Sequence, residues 1–232
     1  MLRYRELLEL WREDNSLTQA VHDSHNMLES TLEMFKQSID SLRKSDNGEV
    51  DRSVYDKDQI VNKYEQEVRG KVLKHLAVTG GVNLIPGLIL TSIVIDIERI
   101  GDYTKNIVDL AVSHPKKLIC GDLEEDVTKI ETGVMEIFES IIPCIKSSEK
   151  EAARELVNSH WWVFKRCDEI VNELVKGKEF SLSLESAVST ALYIRYLKRV
   201  GGHLVNIASS IVNPFEKIGF RTRENPASVS VS

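Results

Sequence analysis

Apolar residues recur along this chain with a helical period, most clearly from Leu90 to Val112, LTSIVIDIERIGDYTKNIVDLAV. Leu90, Ile93, Ile97, Ile100, Thr104, Ile107 and Ala111 follow steps of three and four, which places them on one helix face. Glu98, Asp102 and Asp109 fall beside that face, with Glu98 and Asp102 one turn apart. Two further helices precede it. Ser16 is a candidate N-cap for the first, whose inner positions are Leu17, Val21, Met27 or Leu28, Leu32, Phe35, Ile39 and Leu42. That pattern runs to about Lys44 and meets the turn Ser45-Asp46-Asn47-Gly48. In the second, Asp56 to Thr79, the expected inner face is Ile60, Tyr64, Val68, Val72 and Leu76. Asp58, Asn62, Glu65 and Arg69 lie along another face, and Gly80-Gly81 signals the C-cap. Pro86 suits the first turn of the Leu90 helix. A short helix is also expected over Leu2–Trp11.

The second half repeats this order. Helices are expected from Leu123 to about Ile145, from Glu149 to Val175, and from Leu184 to Val212 before Asn213-Pro214. Moving 100 positions from the Leu90 helix matches Arg99, Gly101, Asn106 and Ile107 with Arg199, Gly201, Asn206 and Ile207. Asp58-x-Ile60-Val61-Asn62 recurs 110 positions later as Asp168-x-Ile170-Val171-Asn172. Two matched helices at nearly one separation indicate an internal repeat, too long for a solenoid unit. The expected fold is therefore all-α, two tandem three-helix bundles. Their limits are residues 1–115 and 116–213, with a loose tail over 214–232.

Composition narrows the function. The 232 residues are 42% hydrophobic and carry a formal net charge of -6. No Lys/Arg block interleaved with aromatics is present, which argues against nucleic acid. The most apolar run, Val82 to Ile95, contains Asn83, Pro86 and Gly87 and falls short of the ~18–20 residues of a membrane span. Cys120, Cys144 and Cys167 are odd in number and form no CxxC, which fits a reduced, cytoplasmic compartment. Di-metal bundle enzymes use Glu-x-x-His, and none of the six histidines has Glu three residues before it. HExxH, a Walker-type loop and GxSxG are absent as well. A non-enzyme is expected.

The remaining chemistry is a set of oxygens. Glu98 and Asp102 stack on one face, and Asp58 and Asn62 on the neighbouring helix can add two more ligands. Such a set suits Mg, Ca, Mn or Fe. The alternative is a solvated acidic face, since a like-charged pair at this spacing costs only ~0.2–0.5 kcal/mol. In the second half Lys198 stands where Glu98 stands and Gly202 where Asp102 stands, so Asp168 and Asn172 alone make a poor site. His22 and His25, three apart, read as polar side chains without a third ligand. Gly101 and Gly201 read as packing residues. Arg99 and Arg199 are either partners of carboxylates on the next helix or surface charges. Trp161 and Trp162 are adjacent and cannot both enter one core, so one is a candidate interface residue.

The stretch DIERIGDYTKNIVDLA resembles the third-helix motif of PhoU-like proteins, regulators of phosphate uptake built from two tandem three-helix bundles. The family's metal motif is E(D)xxxD on two helices of each bundle. Glu98-x-x-x-Asp102 fits it, Asp58-x-x-x-Asn62 and Asp168-x-x-x-Asn172 fit its first position, and Lys198-x-x-x-Gly202 has lost it. The resemblance covers about residues 16 to 213. It implies a metal ion (Fe, Zn, Mn, Mg or Ca) on the first bundle. It also implies a homodimer, and an adaptor role between phosphate transporter components and a membrane sensor kinase. A metal-free adaptor of a sodium–phosphate or other permease is the alternative.

Overall fold

The computed structural model describes residues 16–46, 50–114 and 116–220. The helix expected over Leu2–Trp11 lies outside the described residues. The first bundle consists of α1 (Ser16–Arg43), α2 (Ser53–Thr79) and α3 (Leu84–Ser113). A 3-10 turn, Gly121–Leu123, leads to the second: α4 (Glu124–Ser147), α5 (Lys150–Ser159), α6 (Trp161–Val175) and α7 (Leu184–Val212). No strand occurs among the described residues.

The expected inner face of α3 is buried at all seven positions from Leu90 to Ala111. At the end of α2, Gly80 takes a left-handed φ of 65° and its N–H returns to the carbonyl of Leu76. Two expectations need correction. The helix expected over Glu149–Val175 is divided into α5 and α6 at His160. There Asn158-Ser159-His160, all weak helix formers, give way to an i→i+3 bond from Val163 N–H to His160 O (3.1 Å). The inner face of α2 is also rotated from the expected one. Ile60 is 49% exposed, whereas Val54, Asp58, Val61, Val68 and Val72 face inward. A polar residue on the buried stripe hid the true phase.

The two bundles share one core, and α3 packs against α7 across the join. Phe35 and Phe138 link α1 with α4, their ring centroids 5.8 Å apart. The start of the expected tail is bound back. Asn213 donates to the carbonyls of Lys217 (2.9 Å) and Phe220 (2.8 Å), and Gly219 N–H donates to Ser209 Oγ (2.8 Å). Among the described residues no helix is long and apolar enough to cross a membrane.

Candidate functional site

Helix α2 contributes Asp58 and Asn62, and α3 contributes Glu98 and Asp102. Asp58 is 6% exposed, because it sits on the stripe that α2 turns toward α3. The gap at Gly101 lets it in: a Cβ there would lie 3.7 Å from Asp58 Oδ1 and 3.5 Å from Val61 Cγ1. Gly101 is thus a packing residue, approached by side chains of α2 and by Met34 of α1.

A fifth residue joins the acid of α2 to one acid of α3. Lys105, on α3, places its ammonium 2.8 Å from Asp58 Oδ2 and 3.2 Å from Asp102 Oδ1. Arg99 bridges along the same helix to Asp102 (3.0 Å) and Glu98 (3.5 Å). Asn62 donates to Asp58 Oδ2 at 3.5 Å. Burial of Lys105 lowers its pKa, but the Asp58 carboxylate outweighs that and the net shift is upward. Glu98 moves upward, first because it is partly buried and then because Asp102 lies beside it. The cluster is an acidic patch closed by its own lysine.

As arranged, these side chains do not fit a metal ion. Among the described residues no three His, Cys, Asp or Glu groups converge to hold one. A cation bridging Asp58 and Asp102 would take the place of the Lys105 ammonium. One atom is left over: Asp58 Oδ1 is buried and has no hydrogen-bond partner. His25, 8% exposed, is held neutral by burial, its pKa lowered to about 4. Its neighbour His22 is exposed and bonded to Asn26 (3.1 Å).

In the second bundle Asp168 and Asn172 lie on α6 and Lys198 and Gly202 on α7. Lys198 contacts both oxygens of Asp168, at 2.5 and 2.7 Å. Gly201 is tighter than its counterpart, since a Cβ there would meet Phe164 Cε1 at 3.1 Å. Both tryptophans are exposed, Trp161 at 48% and Trp162 at 43%.

Sequence reasoning missed two connections between the bundles. One is a polar seam along α3 and α7. Asp96 accepts from His203 Nδ1 (2.7 Å) and from Asn206 (3.1 Å). Arg199 donates from Nε to the Tyr103 hydroxyl (2.9 Å) and lies over the Tyr103 ring. Arg99 and Arg199 therefore differ: one stays on its own helix, the other crosses the join. The second connection is Arg43 at the end of α1. Its side chain is only 9% exposed and reaches Glu131 (2.8 Å), Glu124 and the Leu118 carbonyl. Tyr193, fully buried, donates to the same Glu131 (2.7 Å). Burial pushes the Glu131 pKa up, and Arg43 draws it back. The sequence held one trace of the cluster's closure, the i,i+3 spacing of Asp102 and Lys105. It held none of Arg43, whose partners are about 80 residues away.

Comparison with known proteins places this arrangement. The PhoU domain family matches the chain twice, over residues 25–111 and 127–211. An uncharacterised protein of Methanocaldococcus jannaschii is 26% identical over 202 residues, covering 82% of this chain and 66% of its own length. The phosphate-specific transport system accessory protein PhoU homolog 1 of Thermotoga maritima is 24% identical, covering 86% of this chain and 87% of itself. Among solved structures, PhoU from Pseudomonas aeruginosa superposes with a TM-score of 0.71 at 18% identity. It covers 84% of this chain and 95% of that one. The phosphate transport system regulatory protein PhoU from Streptococcus pneumoniae gives 0.73 at 15% identity, covering 84% and 92%.

Proposed function

Since this chain belongs to the PhoU domain family, we propose that it is a non-enzymatic regulator of phosphate transport. In this reading it works as an adaptor between phosphate transporter components and a membrane sensor kinase, and restrains uptake when phosphate is plentiful. The observation that carries the reading is the double family match, one per bundle, joined in a single core. Coverage of 87% of the Thermotoga maritima relative adds to it. The polar cluster supports a structural role, because each of its acids is engaged by a lysine or arginine of its own bundle and only the Oδ1 atom of Asp58 is left over.

The same geometry favours the metal-free form of the adaptor. An ion at Asp58, Asn62, Glu98 and Asp102 would have to displace Lys105, and at Asp168 it would have to displace Lys198. Metal content of untagged protein, beside a Glu98→Ala/Asp102→Ala variant, separates the two forms. Stoichiometric metal lost in the variant would favour the metal-dependent one.

The adaptor claim is tested by affinity capture of the full chain from the membrane fraction of phosphate-replete source cells. Transporter subunits or a sensor kinase should be enriched over a control bait. Recovery of neither would overturn the proposal.

A further inference from the structure

The repeat is broken where it would matter most to a ligand. At the two positions of the paired carboxylates of α3, α7 carries an ammonium and no side chain at all. Apart from its own turn of helix, no heavy atom lies within 4 Å of where a Cβ on Gly202 would be. A cavity of about 580 Å³ opens beside it, lined by Trp161, Phe164, Asp168, Lys198, Arg199 and His203 among others. Small-molecule pockets span roughly 300–1,000 Å³, far more room than a bare phosphate needs.

The lining has the wrong sign for a metal site and the right sign for an anion. Asp168 is neutralised by Lys198 at 2.5 Å, and Glu169 contacts Arg166 at 3.2 Å and Lys165 at 3.7 Å. That leaves Arg199, which has no carboxylate partner among the described residues. Tyr103 holds it through Nε at 2.9 Å, so the outer edge of its guanidinium is pre-oriented. Such a planar fork matches the oxygens of a phosphoryl group. The chain as a whole carries a formal net charge of -6, so this locally positive lining runs against the average.

The rest of the cavity is built for more than an anion. Trp161 is half exposed and packs against Phe164 with ring centroids 5.8 Å apart, which gives an aromatic wall. Planar bases stack on such walls. His203, which donates from Nδ1 to Asp96, closes the side of the cavity toward the first bundle. We propose that this cavity binds a small organic phosphate of the nucleotide class, its phosphoryl group on Arg199 and its base against Trp161 and Phe164. Arg199 belongs to the second bundle and is held by Tyr103 of the first, so the ligand is read at the join.

Isothermal titration calorimetry of the full chain with AMP, ADP, ATP, GMP and, separately, inorganic phosphate tests this. At least one nucleotide should bind. Arg199→Gln should weaken it at least about tenfold, the loss expected for a hydrogen bond to a charged group. Gly202→Asp restores the first bundle's carboxylate in open space and should abolish binding, with helicity and melting temperature retained. Three results would overturn the proposal: no nucleotide binding at millimolar concentration, binding of inorganic phosphate alone, or nucleotide binding unchanged in both variants.

Discussion

The two bundles solve one electrostatic problem in different ways. In the first, acids of α2 and α3 face each other, and Lys105 enters from within the acidic helix to neutralise Asp58 and Asp102 while Arg99 engages Glu98. In the second, the acidic positions of the last helix have themselves become Lys198 and Gly202, and the lysine neutralises Asp168 from across the groove. The first solution places a lysine between the two helices. The second leaves a cavity. Repeats that keep the same order of packed faces are thus free to diverge in charge and in helix continuity, because the fold rests on the apolar stripes rather than on the polar cluster beside them.

The comparison presupposes that the bundles fold as one unit, and Arg43 is where to break that. Arg43→Ala leaves Glu131, a side chain only 14% exposed, buried without its cation. Removing one partner of a buried pair destabilises by about 3–5 kcal/mol. Urea unfolding of the variant should show a loss of that order, with partial recovery on adding Glu131→Gln. A loss below about 1 kcal/mol would mean that Arg43 does not clamp the join.

A second, smaller contrast sharpens the difference between the two lysines. Lys105→Gln leaves Asp58, whose side chain is 8% exposed, without its cation, and should destabilise by about 1–3 kcal/mol. Lys198→Gln frees Asp168, which is 51% exposed, and should change stability by less than about 1 kcal/mol. Equal losses in the two variants, measured in the same urea series, would erase the distinction between a closed cluster and an open one.

The architecture was legible because helical periodicity survives single exceptions. The stripe from Leu90 to Ala111 is interrupted only by Thr104, and that residue satisfies its hydroxyl on the Ile100 carbonyl at 2.8 Å. The phase of α2 was not legible, since Asp58 on the inner stripe reads as a surface charge until its lysine is seen. The break at His160 was equally hidden, because the apolar spacing continues through it. Glu98 and Asp102 were legible as one-turn neighbours from their spacing, and Asp58 and Asn62 drew notice because they recur as Asp168 and Asn172. What they do together depended on Lys105, Arg99 and the approach of two helices, and side-chain reach across a bundle leaves no period in a sequence. The seam of Asp96, Tyr103, Arg199 and His203 was missed for that reason.

The smallest effect is the most direct probe of packing, because it compares one substitution at two equivalent positions. Alanine is favoured over glycine inside a helix by ~1 kcal/mol. At Gly101 the new Cβ would meet Val61, Asp58 and Met34 at 3.5–3.7 Å, ordinary contact distances, so Gly101→Ala should keep most of that gain. At Gly201 it would meet the Phe164 ring at 3.1 Å, and that ring is itself packed against Trp161. The ring must yield by a few tenths of an ångström, an overpacking penalty that offsets the gain of helix propensity. Gly101→Ala should therefore melt higher than Gly201→Ala, by about 2–4 °C for a difference of about 1 kcal/mol in a chain of this size. Identical melting temperatures would mean that Phe164 moves freely. The wall of the second-bundle cavity would then be soft, and its shape would belong to the ligand rather than to the fold.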